Sequence, residues 1–311
     1  MRYLSTRRIL PALIGTTILS LCIHYVFNTF QWLEIYQILG RANLLLLLIS
    51  GATSIVAFSL ARTLRWFLLL KNLSIEINYI DLYLCNTSAM SLTIVTPLQS
   101  GEILKVELLK KAGLIQRFSG YSAFVIERIV DLLSIVSIAT ISLILNTSID
   151  IQVGYKTIFF AFLVAMILFI VLGILNRTFS HKDSLKNFVE HIKRCGSNLQ
   201  SLAYVILLSF ASWSIVAIAW KTCLKSIDVD ISLQDSMALM SVSTIVNILS
   251  FIPGAIGISE VSITEFLRQM NLSLPSSQAG ALILRFYSIL TITVSLIHLF
   301  LWRAFRKSIV D

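Results

Sequence analysis

Two short stretches carry the residue types that could do chemistry inside an otherwise apolar chain. Thr96–Glu102 reads TPLQSGE and Ile252–Glu260 reads IPGAIGISE. Each follows a run too short or too polar for a comfortable membrane span. Each sets a proline, then glycine and serine, then a glutamate where lipid would demand unbroken helix. Irregular backbone is tolerated at that depth only when it is buried in protein or lines a polar cavity. Pro97 and Pro253 interrupt the helices, and Gly101, Gly254 and Gly257 permit tight turns and close approach of a ligand to the backbone. A half-helix restarting after such a turn points free N–H groups and a positive dipole end into the cavity, which suits an anion such as phosphate. Arg128 and Arg285 add full positive charge in a geometry that matches phosphate.

Glu127 and Asp131, at i and i+4, share one helix face and balance Arg128. Two readings of these charges stand side by side. In one, they join Arg65, Glu102 and Glu260 in a substrate site. In the other, Glu102 pairs with Arg128 and Glu260 with Arg285 as locks that hold the half-helices in place. Intramembrane charges mark functional sites by default, and the second reading does not exclude transport. Arg62 and Arg65 read equally as snorkelling topology anchors and as cytoplasmic headgroup contacts. Acid–base work by Glu127 and Asp131 is the weaker expectation, since helix-facing acid pairs beside an arginine are more often salt-bridge partners.

Around these stretches the chain is 57% hydrophobic and 13% charged, with mean hydropathy +0.85, against about 25% charged residues in globular proteins. This is the composition of a polytopic α-helical membrane protein. Cys22, Cys85, Cys195 and Cys223 are scattered and read as apolar packing residues. His24, His181, His191 and His298 do not cluster. No phosphate-binding loop, H-E-x-x-H or G-x-S-x-G motif occurs, so neither ATP hydrolysis nor a metal or other cofactor is expected.

The elements that must position the chemistry follow from hydropathy. Full spans are expected at Ile9–Phe27 (uncleaved despite its basic start), Leu44–Leu64, Ser122–Leu145, Thr157–Leu175, Leu202–Trp220 and Ala281–Trp302. The charges Glu127, Arg128 and Asp131 fall in the first turns of the third, and Arg285 near the start of the last. Ile80–Val95 and Met237–Phe251 are re-entrant half-helices. At about 1.5 Å per residue the first covers only roughly 24 Å. Glu102–Leu114, with Lys105, Lys110 and Lys111 among leucines, is an amphipathic second half-helix or an interfacial one, and Val261–Met270 is a short helix. Leu185–Leu199, with Leu185, Phe188, Val189, Ile192 and Leu199 on one face, is an amphipathic interfacial helix on a basic loop. With six spans both termini share a side. Eighteen of the 25 Lys and Arg fall there, including seven between Arg62 and Arg117. That bias sets both termini in the cytoplasm of a cell membrane and accounts for the net charge of +9 without nucleic acid.

The chain is one membrane domain containing an internal repeat, about 9–145 and 157–302. Trp66–Asp81 (WFLLLKNLSIEINYID) aligns with Trp220–Asp235 (WKTCLKSIDVDISLQD) at an offset of 220 − 66 = 154. Pro97 then pairs with Pro253, Glu102 with Glu260 and Arg128 with Arg285. Three spans separate equivalent points, so the second half is inverted relative to the first. Inverted repeats with broken helices are the architecture of alternating-access transporters, whose site lies between the repeats near the midplane.

The motifs R-x-x-R-W at Arg62–Trp66, P-x-x-x-G-E at Pro97–Glu102, E-R-x-x-D at Glu127–Asp131 and P-G-x-x-G-x-S-E at Pro253–Glu260 resemble the membrane domain of lysylphosphatidylglycerol synthases, the flippase-like or UPF0104 family. The resemblance covers nearly the whole chain. It implies a lipid handler, a phospholipid or polyprenyl-phosphate lipid being the expected ligand, and aminoacyl transfer is not carried over to this chain, for which no enzymatic activity is expected. The synthase domain of two-domain members is absent before Asp311, which implies a separate synthase or glycosyltransferase as partner. Pro253-Gly254-Ala255 departs from the P-G-G often found in the family. An enzyme-partner role in lipid headgroup or glycan-carrier modification is the alternative.

Overall fold

The computed structural model describes residues 23–145, 183–250 and 252–310, together with 17, 20 and 21. Most of the first expected span and all of Thr157–Leu175 lie outside the described residues. Within them the chain is helical, without strands. Among the described residues four helices are long and apolar enough to cross a membrane.

Trp32–Gly40 (α1) leads into the long helix Leu44–Asn72 (α2). Next come Tyr79–Val95 (α3), a 3-10 turn over Pro97–Ile103 and the short helix Leu104–Lys111 (α4). Arg117–Leu145 (α5) crosses back. The amphipathic helix Asp183–Gly196 (α6) precedes Leu199–Lys225 (α7). Leu233–Leu249 (α8), a second 3-10 turn at Pro253–Ala255, Ile258–Gln269 (α9) and Leu274–Val310 (α10) complete the chain.

Helix starts follow capping chemistry. Asn43, Asn78 and Asn198 each accept a backbone N–H of the first turn, and Ser232 forms a reciprocal box with Asp235. Both α3 and α8 stop where a proline follows, because the residue before proline is pushed out of the helical region; Thr96 and Ile252 are extended. Each of these two helices is 17 residues long, and the offset of 154 carries Tyr79–Val95 onto Leu233–Leu249 end to end.

Hydrogen bonds fix the directions. Asn43 N–H donates to the Ser226 carbonyl at 2.7 Å, while Asn72 Nδ2 donates to Ser201 Oγ at 3.0 Å. The start of α2 therefore meets the end of α7 and vice versa, so the two run antiparallel. Their contact is the most extensive among the described helices. α3 begins beside the end of α10, where Trp302 Nε1 donates to Asp81 (3.3 Å) and Tyr83 Oη meets His298 Nε2 (3.0 Å). Reciprocally, α8 begins beside the end of α5, through Gln234 Nε2 and the Ser142 carbonyl at 3.5 Å. Apolar packing divides likewise into one core around Trp66, Leu69, Leu82 and Leu109 and another around Leu224, Leu239, Leu267 and Ile283.

Several boundaries differ from the hydropathy reading. α2 does not end at Leu64 but continues to Asn72, since its arginines are neutralised inside the protein. α5 begins at Arg117 and α10 at Leu274, so Glu127, Arg128, Asp131 and Arg285 lie turns deep rather than at helix entrances. The returning segment is not one half-helix from Glu102: that residue sits in the 3-10 turn. α6 ends at Gly196 and packs on α5 and α2, with Cys195 buried against the Leu69 carbonyl and Lys193 and Arg194 exposed. Leu199, expected on its apolar face, starts α7 and is exposed. Cys85, Cys195 and Cys223 are buried free thiols, as their packing role requires.

Candidate functional site

Where α2, the first turn, α4 and α5 meet, seven charged side chains gather. Arg62 and Arg65 come from successive turns of α2. Glu102 and Lys105 flank the junction of turn and α4, and Glu127, Arg128 and Asp131 come from α5. Every one is buried except Arg128, whose side chain is 26% exposed. The expectation that Arg62 and Arg65 snorkel or meet headgroups is therefore corrected. Burial is sustainable because each has carboxylate partners in reach.

Glu102 accepts from Arg62, from Lys105 Nζ at 2.9 Å and from Arg128 Nη2 at 3.1 Å, and its other oxygen lies 2.8 Å from Arg128 Nη1. Glu127 accepts from Lys105, Arg62 Nε (3.2 Å) and Arg65 Nη2 (3.3 Å). Asp131 accepts from Arg65 and from Arg128 Nη2 at 2.6 Å, and α7 adds Ser209 Oγ at 2.8 Å and Trp213 Nε1 at 3.3 Å. Lys105 Nζ also lies 4.5 Å from the Trp66 ring centre, a cation–π contact that is strongest when desolvated. The amphipathic pattern of Glu102–Leu114 suits an interfacial helix or a second half-helix; the structure puts Lys105 in the centre of the cluster. Its place three residues after Glu102 was the one available signal.

The second half has a simpler arrangement. Arg285 on α10 donates to Glu260, to the Gly254 carbonyl at 2.8 Å, to Ser259 Oγ at 2.8 Å and to the Ala255 carbonyl at 3.4 Å. Glu260 in turn accepts the Gly257 N–H at 2.6 Å. Gly254 and Gly257 take φ of +65° and +85°, which glycine adopts without steric cost. Ala255 takes φ +48°, so the alanine that replaces the second glycine of P-G-G holds a left-handed conformation that an L side chain resists. In the first turn Gln99 does the same at φ +55°. Gly101 donates to Thr96 Oγ1 at 2.6 Å and packs so closely that a Cβ would stand 2.4 Å from the Leu92 carbonyl oxygen.

Both expected locks, Glu102–Arg128 and Glu260–Arg285, are formed. Between them lies open space. One cavity of ≈ 160 Å³ has Arg62 and Arg128 in its wall with Phe58, Trp213, Thr244 and Tyr287. A second, of ≈ 130 Å³, has Arg285, Gly254 and Ser259. Thr93, Ile94, Gln99, Trp220, Asn247 and Ser288 line both, so the two are one space with two ends. Pro97 and Pro253 open the turns that border it, while Arg65, Glu127 and Asp131 stand behind the wall and Gly101 braces the first turn against α3. Gln99, Asn247, Trp213 and Trp220 were not singled out as site residues by sequence. Only the Ser/Thr/Asn-rich character of the half-helices hinted at them.

The charge sums to a physical statement. Four cations face three carboxylates, and the carboxylates are turned away from the cavity while Arg62 and Arg128 border it. Arg128 Nε has no hydrogen-bond partner. The charge of this wall is complementary to an anion.

No curated protein and no solved structure matches the chain. A family model described as the lysylphosphatidylglycerol synthase TM region matches residues 12–297. The chain belongs to that family and is a multi-pass membrane protein related to lipid handling.

Proposed function

We propose that this member of the family is a lipid transporter that moves a phosphate-bearing lipid between leaflets, without being an enzyme itself. The observation that carries the reading is the cavity between the halves, whose wall offers Arg62 and Arg128 and none of their carboxylate partners. The phosphate sits against Arg128 while the acyl or prenyl tails remain in the bilayer. The halves act as inverted repeats, and rocking of one against the other opens the space to either leaflet. The antiparallel course of α2 and α7 and the reciprocal packing of α3 on α10 and α8 on α5 support that symmetry. The termini lie in the cytoplasm of the cell membrane. Arg62, Arg65 and Lys105 are buried and drop out of the loop count, but the bias of the remaining basic residues keeps its sign. A separate synthase or glycosyltransferase supplies or consumes the lipid.

The test is reconstitution into liposomes containing fluorescent phospholipid and polyprenyl-phosphate analogues. Arg128→Ala is the informative control, because it leaves three cations facing three carboxylates and so keeps the cluster neutral. Movement by the wild type and loss in Arg128→Ala supports transport. No movement of any phosphate-bearing lipid, with or without a proton gradient, moves the assignment to a non-transporting partner of a lipid-modifying enzyme.

A further inference from the structure

Lys105 differs from the other three cations of the cluster in what it can do. Its side chain is fully buried, with Nζ held between Glu127 and Glu102 Oε1 at 2.9 Å and placed 4.5 Å from the Trp66 ring centre. Packing alone does not call for an ammonium there: the residue three positions after Glu260 in the second half is Ile263, buried and apolar. The distinction is chemical. Arg62, Arg65 and Arg128 keep their charge at every accessible pH, whereas a lysine in a buried setting can exchange its proton.

The titratable and charged groups around Lys105 are Glu102 on the turn, Glu127, Arg128 and Asp131 on α5, and Arg62 and Arg65 on α2. From α3 the Cys85 thiol donates to the Lys105 carbonyl at 3.5 Å. With all of the ionisable side chains of the cluster charged, one positive charge is in excess. Protonating a carboxylate adds to that excess and no arginine can reduce it. Loss of the Lys105 proton cancels it. An anion at Arg128 reverses the balance, because three carboxylates and a phosphate require all four cations. A buried charge without compensation is costly, so anion and proton favour each other's binding. Glu102 supplies the route for the proton. One of its oxygens meets Lys105 and the other lies 2.8 Å from Nη1 of Arg128, the partly exposed residue in the cavity wall. A proton taken up by the carboxylate on that side reaches the amine when the carboxyl group rotates, and the carboxylate is restored.

Resting on the transport reading, we infer that Lys105 couples lipid to proton: it is a neutral amine in the empty site, takes up one proton as a phosphate-bearing lipid binds at Arg128, and gives that proton up when the lipid leaves. A singly charged phosphodiester lipid and a proton then cross together as an electroneutral pair. An acidic outer face drives the lipid toward the cytoplasmic leaflet. Lys105 touches no lipid and acts through Glu102 and Arg128, as a positioning residue.

Binding is measured apart from movement. Purified protein in detergent is titrated with short-chain phosphatidylglycerol, whose phosphodiester keeps its single charge, across about pH 6–9, below the ordinary range of an exposed lysine. Calorimetry in buffers of different ionisation enthalpy counts the protons taken up. The wild type is expected to take up about one proton per lipid at the alkaline end, where its Kd rises with pH by up to about tenfold per unit, the limit for one linked proton. Lys105→Arg, permanently charged, binds tightly with no proton uptake and no pH dependence. Lys105→Met, permanently neutral, binds weakly and as flatly, and decides alone where Lys105→Arg does not fold. Wild-type binding without proton uptake overturns the inference, as does a wild-type proton count in Lys105→Met. In liposomes with an imposed pH gradient, labelled phosphatidylglycerol accumulates in the leaflet facing the alkaline side. Proton-linked binding without movement sinks transport and leaves the linkage standing. Movement by a protein that takes up no proton does the reverse, and absence of binding at every pH sinks both.

Discussion

Glu127 is the carboxylate on which the buried cluster depends most, and removing its charge tests the electrostatic argument directly. It is fully buried and accepts from Lys105, Arg62 Nε and Arg65 Nη2, with Arg128 Nη2 3.7 Å away. Glu127→Gln keeps the shape but leaves four cations against two carboxylates, and its amide turns a donor toward one of those cations. Breaking a buried pair by removing one partner costs about 3–5 kcal/mol, because the other charge stays buried and uncompensated. Lys105→Met costs less. It leaves three cations and three carboxylates, and Glu127 keeps two arginine donors while the methionine still packs on Trp66. The double substitution restores the original excess of one cation. It should therefore lie within about 1–2 kcal/mol of Lys105→Met alone, with a coupling energy of about 2–3 kcal/mol, at the upper end for contacting residues. Reversible unfolding in mixed micelles, followed by tryptophan fluorescence, gives the four free energies of the cycle. Where Glu127→Gln yields no folded protein, recovery of folded protein on adding Lys105→Met gives the same answer. Additive single effects, or a Glu127→Gln cost under about 1 kcal/mol, would refute the claim that charge balance governs this cluster.

The turns offer opposite perturbations. Gly101→Ala drives a Cβ to 2.4 Å from the Leu92 carbonyl oxygen and 2.6 Å from the Leu92 Cβ. The cost should reach or exceed the ~1–3 kcal/mol of ordinary overpacking, visible as a lower unfolding midpoint; a wild-type midpoint would mean that the turn does not press on α3. Ala255→Gly relieves a left-handed alanine worth about 1–2 kcal/mol, partly offset by ~0.4–1 kcal/mol of added unfolded-state entropy. It should raise the midpoint slightly, and a fall would contradict the strain argument. For topology, Lys193→Cys and Asp230→Cys, introduced separately with Cys22 replaced, should label with an impermeant maleimide from opposite faces of the membrane. Lys193→Cys should react only after permeabilisation. Labelling of both from outside intact cells would refute the assigned orientation.

The correspondence between helices of the two halves was legible because it lies in residues that shape the backbone. Pro97 and Pro253 follow helices of equal length, and Trp66 and Trp220 mark corresponding turns of α2 and α7; the offset is 154 for the tryptophans and 156 for the prolines. The locks Glu102–Arg128 and Glu260–Arg285 were legible because in each the partners are separated by one short helix and a turn. The rest was hidden for a physical reason. Hydropathy falls at Arg62 and Arg65, and a hydropathy reading ends the span there. Yet backbone hydrogen bonding does not stop at a charge whose partners lie on another helix, and those partners are 40 to 66 residues away. Lys105 sits in LKVELLKK, a pattern indistinguishable locally from a surface helix. Nothing in those eight residues shows that Glu127 waits across the interface. The expectation of an interfacial α4 was thus wrong for its most important side chain and sound for Lys110 and Lys111, which are exposed.

The second half shows what the first could have been. At the repeat offsets, Val216 and Ala219 stand for Arg62 and Arg65, Ile263 for Lys105, Leu284 for Glu127 and Ser288 for Asp131. Of these, Ala219, Ile263 and Leu284 are buried in the apolar core of their half. The same backbone plan is therefore held together in one half by seven charges and in the other by apolar packing around a single Arg285–Glu260 pair. Replacing a buried ion cluster by apolar residues of similar volume is often neutral or stabilising by about 1–4 kcal/mol, so stability alone gives no reason for the charged version. What the cluster does and the apolar counterpart cannot do is hold Arg128 at the cavity wall, partly exposed, with its carboxylate partners behind it and one positive charge over. On the transport proposal, that excess is what an anionic headgroup neutralises on entering, and the asymmetry of the two halves gives the site a direction, with the phosphate on the side of the first half.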